Sequence, residues 1–229
     1  MSKTIVIVGF GPGISTAVAE KFGAAGYAVA LVARNAERLA AGVAALKAKG
    51  IAAAAFPADA GDPASIRAAL AKARAASGPV TVIHWNAYSG GDLGDVLTAD
   101  PAAVGRVFDV GVVGLLAAVQ EALPDLKSAG DGAVLVTNGA FGEPSPQMDA
   151  FAVSLKSAGV ALANAAKYKL VGVLAQELKD AGVYVGEVMV AGSVKGTAWS
   201  PNEGIDPKAI ADTFWALYQA RTEVRARVS

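Results

Sequence analysis

Apolar residues recur along this chain with two different periods. Six short runs have the continuous, β-branched character of buried strands: Thr4–Val8, Ala28–Ala33, Ile51–Phe56, Val80–His84, Ala133–Thr137 and Val183–Val190. The longer stretches between them carry apolar residues at helical spacing, as at Ile14, Val18 and Phe22. Strands alternating with amphipathic helices predict an α/β fold, a doubly wound sheet of about seven parallel strands with helices on both faces.

Residues at the expected helix ends support this division. Aspartate followed by proline, typical of a helix start, occurs at Asp62-Pro63, Asp100-Pro101 and Asp206-Pro207. Gly26, Gly50 and Gly130 stand where helix ends need a left-handed residue. Since no linker, repeat or low-complexity segment interrupts the pattern, we expect residues 1–229 to form one domain.

Composition and charge narrow the class of protein. Twenty basic and twenty acidic residues cancel, so no overall field favours nucleic acid or an anionic membrane. The N-terminal residues enter a strand directly instead of resembling a signal peptide, and we expect no apolar run long enough to span a bilayer. The absence of cysteine excludes disulfides, and a single histidine argues against a zinc site. We therefore expect a cytoplasmic protein without metal, membrane or nucleic-acid partners.

The segment VGFGPGIS places three glycines, Gly9, Gly11 and Gly13, between the first strand and the first helix. A glycine turn at this point lets the backbone approach a pyrophosphate, which then lies at the positive end of the helix. Such clusters also occur in tight turns without ligands, but the strand before and the helix after favour a phosphate site. The pattern predicts a single-domain Rossmann-like fold.

The end of the second strand bears on which dinucleotide would bind. NAD sites usually carry Asp or Glu there for the ribose hydroxyls. This chain has Ala33 followed by Arg34. A guanidinium suits a 2′-phosphate, and no carboxylate at this point would repel one. The alternative is that Arg34 merely starts the helix at Asn35. We favour NADP(H) as the cofactor.

These motifs resemble those of the short-chain dehydrogenase/reductase family over nearly the whole chain. The glycine turn is similar to the family's Thr-Gly-x-x-x-Gly-x-Gly, with Val8 for the threonine and Ser15 for the last glycine. Residues 174–192, LAQELKDAGVYVGEVMVAG, match the end of the long helix and the sixth strand, and AGSVKGT resembles the Pro-Gly turn beside the nicotinamide, with Ala191 for the proline.

The resemblance also implies a set of cofactor contacts. Asp59 matches the residue that contacts adenine, and Asn86-Ala87 match the Asn-Ala pair after the fourth strand. The full implied set is Gly9, Phe10, Gly11, Gly13, Ile14, Arg34, Asn35, Asp59, Ala60, Asn86, Ala87, Gly192 and Val194.

The family reduces carbonyls with an asparagine, a serine, a tyrosine and a lysine. The resemblance puts Gly111, in FDVGVVG, at the asparagine position and Gly139, in VTNGAFG, at the serine position. A positioned acid typically contributes about 10²- to 10⁴-fold to the rate. The residues therefore predict dinucleotide binding more directly than ordinary ketone reduction.

Two alignments compete for the tyrosine and lysine. Counting forward from the fifth strand gives Phe151 and Leu155, whereas counting back from LAQEL gives Val160 and Asn164. We prefer the second, because a helix register is harder to shift than a loop length, and it implies nine extra residues before the long helix. Neither alignment supplies the pair, and none of the five tyrosines has a lysine four residues later.

Other residues could substitute for the family's catalytic groups. Tyr88, directly after the Asn-Ala pair, is a weak candidate. His84 is expected to be packed in the core, and Trp85 either shapes the pocket or fills the core. Lys167 and Tyr168 are expected to face a neighbouring helix. Three hypotheses remain: an NADPH-dependent oxidoreductase of unusual chemistry, a silent NADP(H)-binding sensor or scaffold, and a non-redox enzyme on this fold.

Two further expectations concern the substrate and the assembly. We expect residues 141–159 to form a wall or lid, with Met148, Phe151 and Val153 lining an apolar pocket for a small, apolar or cyclic substrate. Imines or other pre-activated acceptors would suit a site without an acid. The helix from Pro101 is apolar over much of its surface, which predicts a homodimer or homotetramer.

Overall fold

The computed structural model describes residues 3–90, 93–198 and 200–229. Within them, seven strands form one parallel sheet in the order β3-β2-β1-β4-β5-β6-β7. The strands are β1 (Thr4–Val8), β2 (Ala28–Ala33), β3 (Ala53–Pro57), β4 (Val80–Trp85), β5 (Ala133–Gly139), β6 (Tyr184–Val190) and β7 (Arg225–Val228). The helices are α1 (Ile14–Ala24), α2 (Ala36–Ala48), α3 (Pro63–Ser77), α4 (Pro101–Phe108), α5 (Leu115–Ser128), α6 (Pro146–Ser154), α7 (Ala158–Glu177) and α8 (Pro207–Ala220).

Both faces of the sheet are covered, as β1 shows. Ile5 and Ile7 point into a core formed with α1, α2 and α8, while Val6 and Val8 point into a second core formed with α3, α5 and α7. All five residues of β1 are buried. This arrangement confirms the prediction of a Rossmann-like, doubly wound parallel sheet.

Strand boundaries differ from the predicted ones where tertiary packing decides them. β3 begins at Ala53, because Ile51 packs instead on α1: a Cβ added to Gly23 would lie 2.4 Å from Ile51 Cγ2. β6 begins at Tyr184, and β4 and β5 continue to Trp85 and Gly139. The seventh strand alternates charged and apolar residues at the sheet edge, so it leaves no apolar run to detect.

The predicted helix ends are confirmed. Asp62, Asp100 and Asp206 each cap a helix by accepting a hydrogen bond from the backbone N–H two residues on. Gly26, Gly50 and Gly130 have positive φ, as a left-handed position requires.

A π-helical turn, Asp109–Gly114, joins α4 and α5 into one helical stretch. A Cβ on Gly114 would lie 1.9 Å from the Ala60 carbonyl oxygen, so this turn sits directly on the loop after β3. Contrary to expectation, the described stretch from Pro101 to Ser128 is long and apolar enough to cross a membrane by length and composition alone. Its α5 part packs on α3 and β4, as core helices of soluble proteins also do.

Candidate dinucleotide and catalytic site

The glycine turn after β1 touches the loop after β4. Gly9 has φ 85°, and a Cβ there would lie 2.4 Å from the Ala87 backbone nitrogen. Asn86 donates through its backbone N–H to the Val8 carbonyl at 2.8 Å and through Nδ2 to the Gly9 carbonyl at 3.3 Å. The structure thus joins the two motifs at the point where the strand order reverses, which is where doubly wound folds bind ligands.

The N-terminus of α1 is open towards an anion. Gly13, with φ 91°, precedes the helix and no side chain caps it. Ser15 Oγ both accepts from the Gly11 N–H and donates to the Gly11 carbonyl, each at 2.9 Å. A Cβ on Gly13 would lie 3.0 Å from Thr197 Cγ2 and 3.6 Å from Val194 Cγ1, so the segment after β6 borders the same turn.

Arg34 directly precedes the N-cap of α2, a position that fits both a cofactor contact and the alternative that it merely starts this helix. Asn35 is the N-cap and its side-chain oxygen accepts from the Arg38 N–H at 2.7 Å, so the helix begins at Ala36. The Arg34 side chain is exposed at the end of β2, where no carboxylate precedes it.

Arg38 is a basic residue that the sequence reasoning missed. Its Nη1 lies 3.8 Å from the position of a Cβ on Gly11. The guanidinium borders a cleft of about 270 Å³ between α1 and α2 that also includes Phe10, Gly11 and Thr16. The sequence does contain a signal for this second arginine, because Arg38 follows Arg34 by four residues in RNAER. The Phe10 ring itself is buried against Gly42, so this residue offers the turn its backbone and not its ring.

The loop after β3 brings Asp59 and Ala60 to the same edge of the sheet. Asp59 is exposed, and its Oδ1 accepts from the Gly61 N–H at 2.9 Å while its own N–H donates to Ser65 Oγ at 3.1 Å. These bonds fix the loop and leave the second carboxylate oxygen of Asp59 open at the surface.

On the other side of the site, β5 and α7 meet at Gly139 and Asn164. A Cβ on Gly139 would lie 2.8 Å from Asn164 Nδ2, and Asn164 is 5% exposed. Phe151 and Leu155 lie instead at the end of α6, where Leu155 is already the C-cap. The geometry therefore favours the alignment through Val160 and Asn164.

The loop after β4 packs tightly on the first turn of α7. A Cβ on Gly90 would lie 2.4 Å from Val160 Cγ2, and one on Gly159 would lie 1.8 Å from the Gly90 carbonyl oxygen. Tyr88, in the same loop, is 64% exposed. Its side chain is thus turned largely to solvent, which does not favour a role as the proton donor.

A buried polar cluster lies under this part of the site, and the sequence reasoning missed it. Glu187, on β6, has no exposed surface; its Oε1 accepts from Asn138 Nδ2 at 2.7 Å and its Oε2 from Arg225 Nε at 2.8 Å. Asn138 Nδ2 also donates to the Asn164 carbonyl at 3.1 Å. Burial raises the pKa of Glu187, while Asn138 and Arg225 oppose that shift. A lone Glu in the apolar strand YVGEVMV was the available signal.

Lys167 belongs to this cluster. Its side chain passes Gly111 in the π-helical turn, where an added Cβ would lie 3.9 Å from Lys167 Cδ. The residue is 3% exposed, and burial lowers its pKa to about 8, opposed in part by the Glu187 charge. Lys167 therefore faces a helical neighbour, the π-helical turn, as expected, and it also interacts with the Glu187 carboxylate. Tyr168 differs from expectation, because Arg225 of β7 stacks on its ring at 3.8 Å.

His84 and Trp85 are core residues, both with no exposed surface. His84 Nε2 lies 3.1 Å from Thr137 Oγ1, and the ring meets Phe214 edge-on at 4.8 Å. Burial lowers the pKa of His84 to about 3, so the ring stays neutral near pH 7. His84 is thus packed in the core, as predicted. Trp85 also fills the core, which is one of the two roles that the sequence left open for it.

Residues 141–159, expected to form a wall or lid, contain a short helical turn and α6, which both pack against α7. Glu143 and Ser145 are extended before their prolines, as expected, and α6 follows. Phe151 stacks on Phe141 at 5.4 Å. Val153 is 70% exposed, so it does not line an enclosed pocket as predicted.

Comparison with known proteins agrees with this architecture. The short chain dehydrogenase family model matches residues 3–204. No curated protein matches significantly.

Solved structures with the same fold include three oxidoreductases. A metagenomic short-chain oxidoreductase in complex with NADP is 25% identical, with a TM-score of 0.77 over 99% of this chain and 95% of that one. L-sorbose reductase from Gluconobacter frateurii, complexed with NADPH and L-sorbose, is 19% identical, with a TM-score of 0.84 over 100% and 96%. An NADPH-bound oxidoreductase from Pseudomonas aeruginosa with an atypical catalytic center is 22% identical, with a TM-score of 0.84 over 100% and 95%. The chain therefore belongs to the short-chain dehydrogenase family.

Proposed function

We propose that this protein is an NADP(H)-dependent oxidoreductase whose catalytic residues differ from those usual in its family. The observation that carries the cofactor assignment is a glycine turn at a helix N-terminus without a side-chain cap among the described residues, with the Arg38 guanidinium beside Gly11 and the exposed Arg34 at the end of β2. The helix end suits the pyrophosphate and the arginines suit a 2′-phosphate. The NADP complex of the 25% identical oxidoreductase supports the same choice.

The remaining cofactor contacts are proposed on the residues that border this turn. Gly9, Gly13, Asn86 and Ala87 meet there, and Val194 follows β6 onto the same side. Phe10, Gly11, Ile14, Asn35, Asp59, Ala60 and Gly192 complete the proposed set. Asn35 contributes by fixing the start of α2, and Asp59 by its exposed carboxylate at the end of β3.

The proposed chemistry is hydride transfer to an acceptor that is already activated. The bound cofactor supplies the hydride, and a cationic iminium carbon becomes a neutral amine on receiving it, without an acid. Gly111, Gly139 and Val160 supply none of the family's donors, which favours imines and other activated acceptors over simple ketones. We propose a small, apolar or cyclic substrate for the space beside these residues.

A second candidate function is a silent NADP(H)-binding sensor. The close packing of Gly90 on Val160 favours it, because that contact closes the place where the family's tyrosine would stand. Tight binding of NADPH with no turnover of any acceptor would select this candidate.

We also propose a cytoplasmic homodimer or homotetramer. Exposed apolar side chains lie on the π-helical turn (Val113), on α5 (Leu116) and on α7 (Leu162 and Val173). Pairing of these two helices across a two-fold axis would bury them.

Replacing Arg34 tests the cofactor assignment. Arg34→Ala should weaken NADPH binding by about 2 kcal/mol, because it removes a charge-assisted pair, and should leave NADH binding unchanged. Calorimetric titration with both nucleotides measures the two affinities. The control is Arg67→Ala, which removes a half-buried arginine of α3 whose guanidinium donates to Gln120 on α5. Equal losses for NADPH and NADH would contradict a contact between Arg34 and the phosphate.

A further inference from the structure

We call the part of the site where α7 faces β5 and the π-helical turn the catalytic end. Two glycines there, Gly139 and Gly111, each have a polar side chain of α7 beside them. Asn164 Nδ2 lies 2.8 Å from where a Cβ of Gly139 would be, and Lys167 Cδ lies 3.9 Å from where a Cβ of Gly111 would be. The space beside each glycine is therefore not simply vacant. The Asn164 amide enters the space beside Gly139, whereas the Lys167 side chain borders the space beside Gly111 at van der Waals distance.

Asn164 and Lys167 lie three residues apart on α7, which puts them on the same face of the helix. Neighbours at this spacing have Cβ atoms about 5–6 Å apart, a distance that the four methylenes of a lysine can span. Both side chains are buried, at 5% and 3% exposure. The Asn164 amide thus lies next to the end of β5, and the Lys167 side chain leaves the same face of the helix beside the π-helical turn.

The other members of the buried polar cluster lie next to this part of α7. Asn138 donates to the Asn164 carbonyl and to Glu187, and Arg225 holds the second oxygen of Glu187. The Glu187 charge favours the ammonium form of Lys167, whereas burial opposes it. The resulting pKa of about 8 leaves Lys167 protonated near pH 7 yet able to release its proton, as an efficient acid requires.

We propose that Asn164 and Lys167 act together as a substitute donor pair for neutral acceptors, an inference that rests on the proposed oxidoreductase function. Asn164 Nδ2–H donates a hydrogen bond to the carbonyl oxygen of the acceptor. As the carbonyl carbon accepts hydride from NADPH, the C=O π electrons move to oxygen, and the Lys167 ammonium transfers one proton to that oxygen. The products are an alcohol, NADP⁺ and neutral Lys167, which regains its proton from water.

A matched pair of acceptors separates this role from a structural one. N-methyl-3,4-dihydroisoquinolinium is permanently cationic and needs no proton, whereas α-tetralone is a neutral ketone of similar shape. Lys167→Met and Asn164→Ala should each lower kcat for α-tetralone by roughly 100-fold, the contribution of a positioned acid or oxyanion donor. The loss on the iminium should be smaller by about tenfold or more, because that acceptor needs no proton, and the affinity for NADPH should stay at the wild-type value. Lys169→Met, which removes an exposed lysine from the same helix, is the control and should change neither reaction.

A second measurement needs no turnover. Benzoate presents carboxylate oxygens in place of the developing alkoxide, and calorimetry of the cofactor-free protein gives its affinity. We expect Lys167→Met to weaken benzoate binding about tenfold or more, because it removes a charge-assisted hydrogen bond.

The outcomes distinguish this proposal from the one it rests on. Equal losses on both acceptors, no loss on either, unchanged benzoate affinity, or a wild-type protein that reduces the iminium but not α-tetralone would each overturn the donor pair and leave the oxidoreductase assignment intact. Failure to bind NADPH, or failure to reduce either acceptor, would overturn both.

Discussion

Glycine is present for different reasons at the catalytic end and at the cofactor end, which is the glycine turn after β1. At the cofactor end, Gly9 has φ 85° and meets the backbone of Ala87, so no other residue fits without moving main chain. At the catalytic end, Gly139 has φ −114°, a conformation open to any residue, and meets the tip of the Asn164 side chain. The first kind of glycine is required by the backbone, whereas the second makes room for a neighbour.

At the catalytic end, we expect the largest loss of stability when one of the buried charged side chains is removed. Glu187→Ala should lower the free energy of unfolding by about 3–5 kcal/mol, because Arg225 and Lys167 lose the carboxylate that compensates them. Urea denaturation near pH 7 measures this loss. Glu187→Gln keeps an oxygen for Asn138 and should cost less. If alanine and glutamine prove equally mild, the cluster contributes little to stability.

Alanine at the two kinds of glycine tests the comparison directly. Gly9→Ala should destabilise the protein by about 3 kcal/mol, since it combines backbone strain with a backbone clash. Gly139→Ala should cost only about 1 kcal/mol, because a flexible amide can shift away. Unfolding curves of both variants, with Gly11→Ala as an unhindered control, give the three values. The distinction fails if Gly139→Ala is as damaging as Gly9→Ala.

His84, on the strand that both ends share, gives a smaller effect that depends on pH. Its pKa is about 3 in the folded protein, so below its ordinary value of 6.5 the unfolded chain binds a proton that the folded one does not. Stability therefore falls as pH drops from 6.5 towards 3. Between pH 7 and pH 5 the loss should be about 2 kcal/mol.

His84→Gln provides the control for this effect, because it removes the chain's single histidine. Urea denaturation of both proteins at the two pH values isolates the histidine contribution, since the carboxylates are common to both. An unchanged pH dependence in the variant would show that His84 is not the group responsible.

The sequence predicts the glycine turn and the helix starts at the cofactor end, because each of them depends on residues close together in the chain. The glycine spacing, Ala33 and Arg34 all lie within or beside one strand–turn–helix unit, and the caps at Asp62 and Asp100 act on the residues next to them. Even at this end the sequence does not predict that Arg38 lies near Gly11, because that distance depends on how α2 packs.

The catalytic end is less predictable, because its contacts join distant segments. The resemblance implies that Gly111 and Gly139 stand at two of the family's catalytic positions, but it does not identify the side chains of α7 that lie beside them. Asn138 reaches Glu187 from another strand, and Arg225 reaches it from the sheet edge. The start of β3 is a similar case, since Ile51 is drawn to α1.

The contact between Gly139 and Asn164 also restricts how this protein can change by mutation. A serine at position 139 would bring its Cβ to within 2.8 Å of Asn164 Nδ2, so it can be accommodated only if Asn164 shifts or is replaced. Because the Asn164 amide is the end of a flexible side chain, it can shift at modest cost, but it then no longer occupies the space beside the end of β5. Substitutions at positions 139 and 164 are therefore coupled, and the effect of either one depends on which residue occupies the other position.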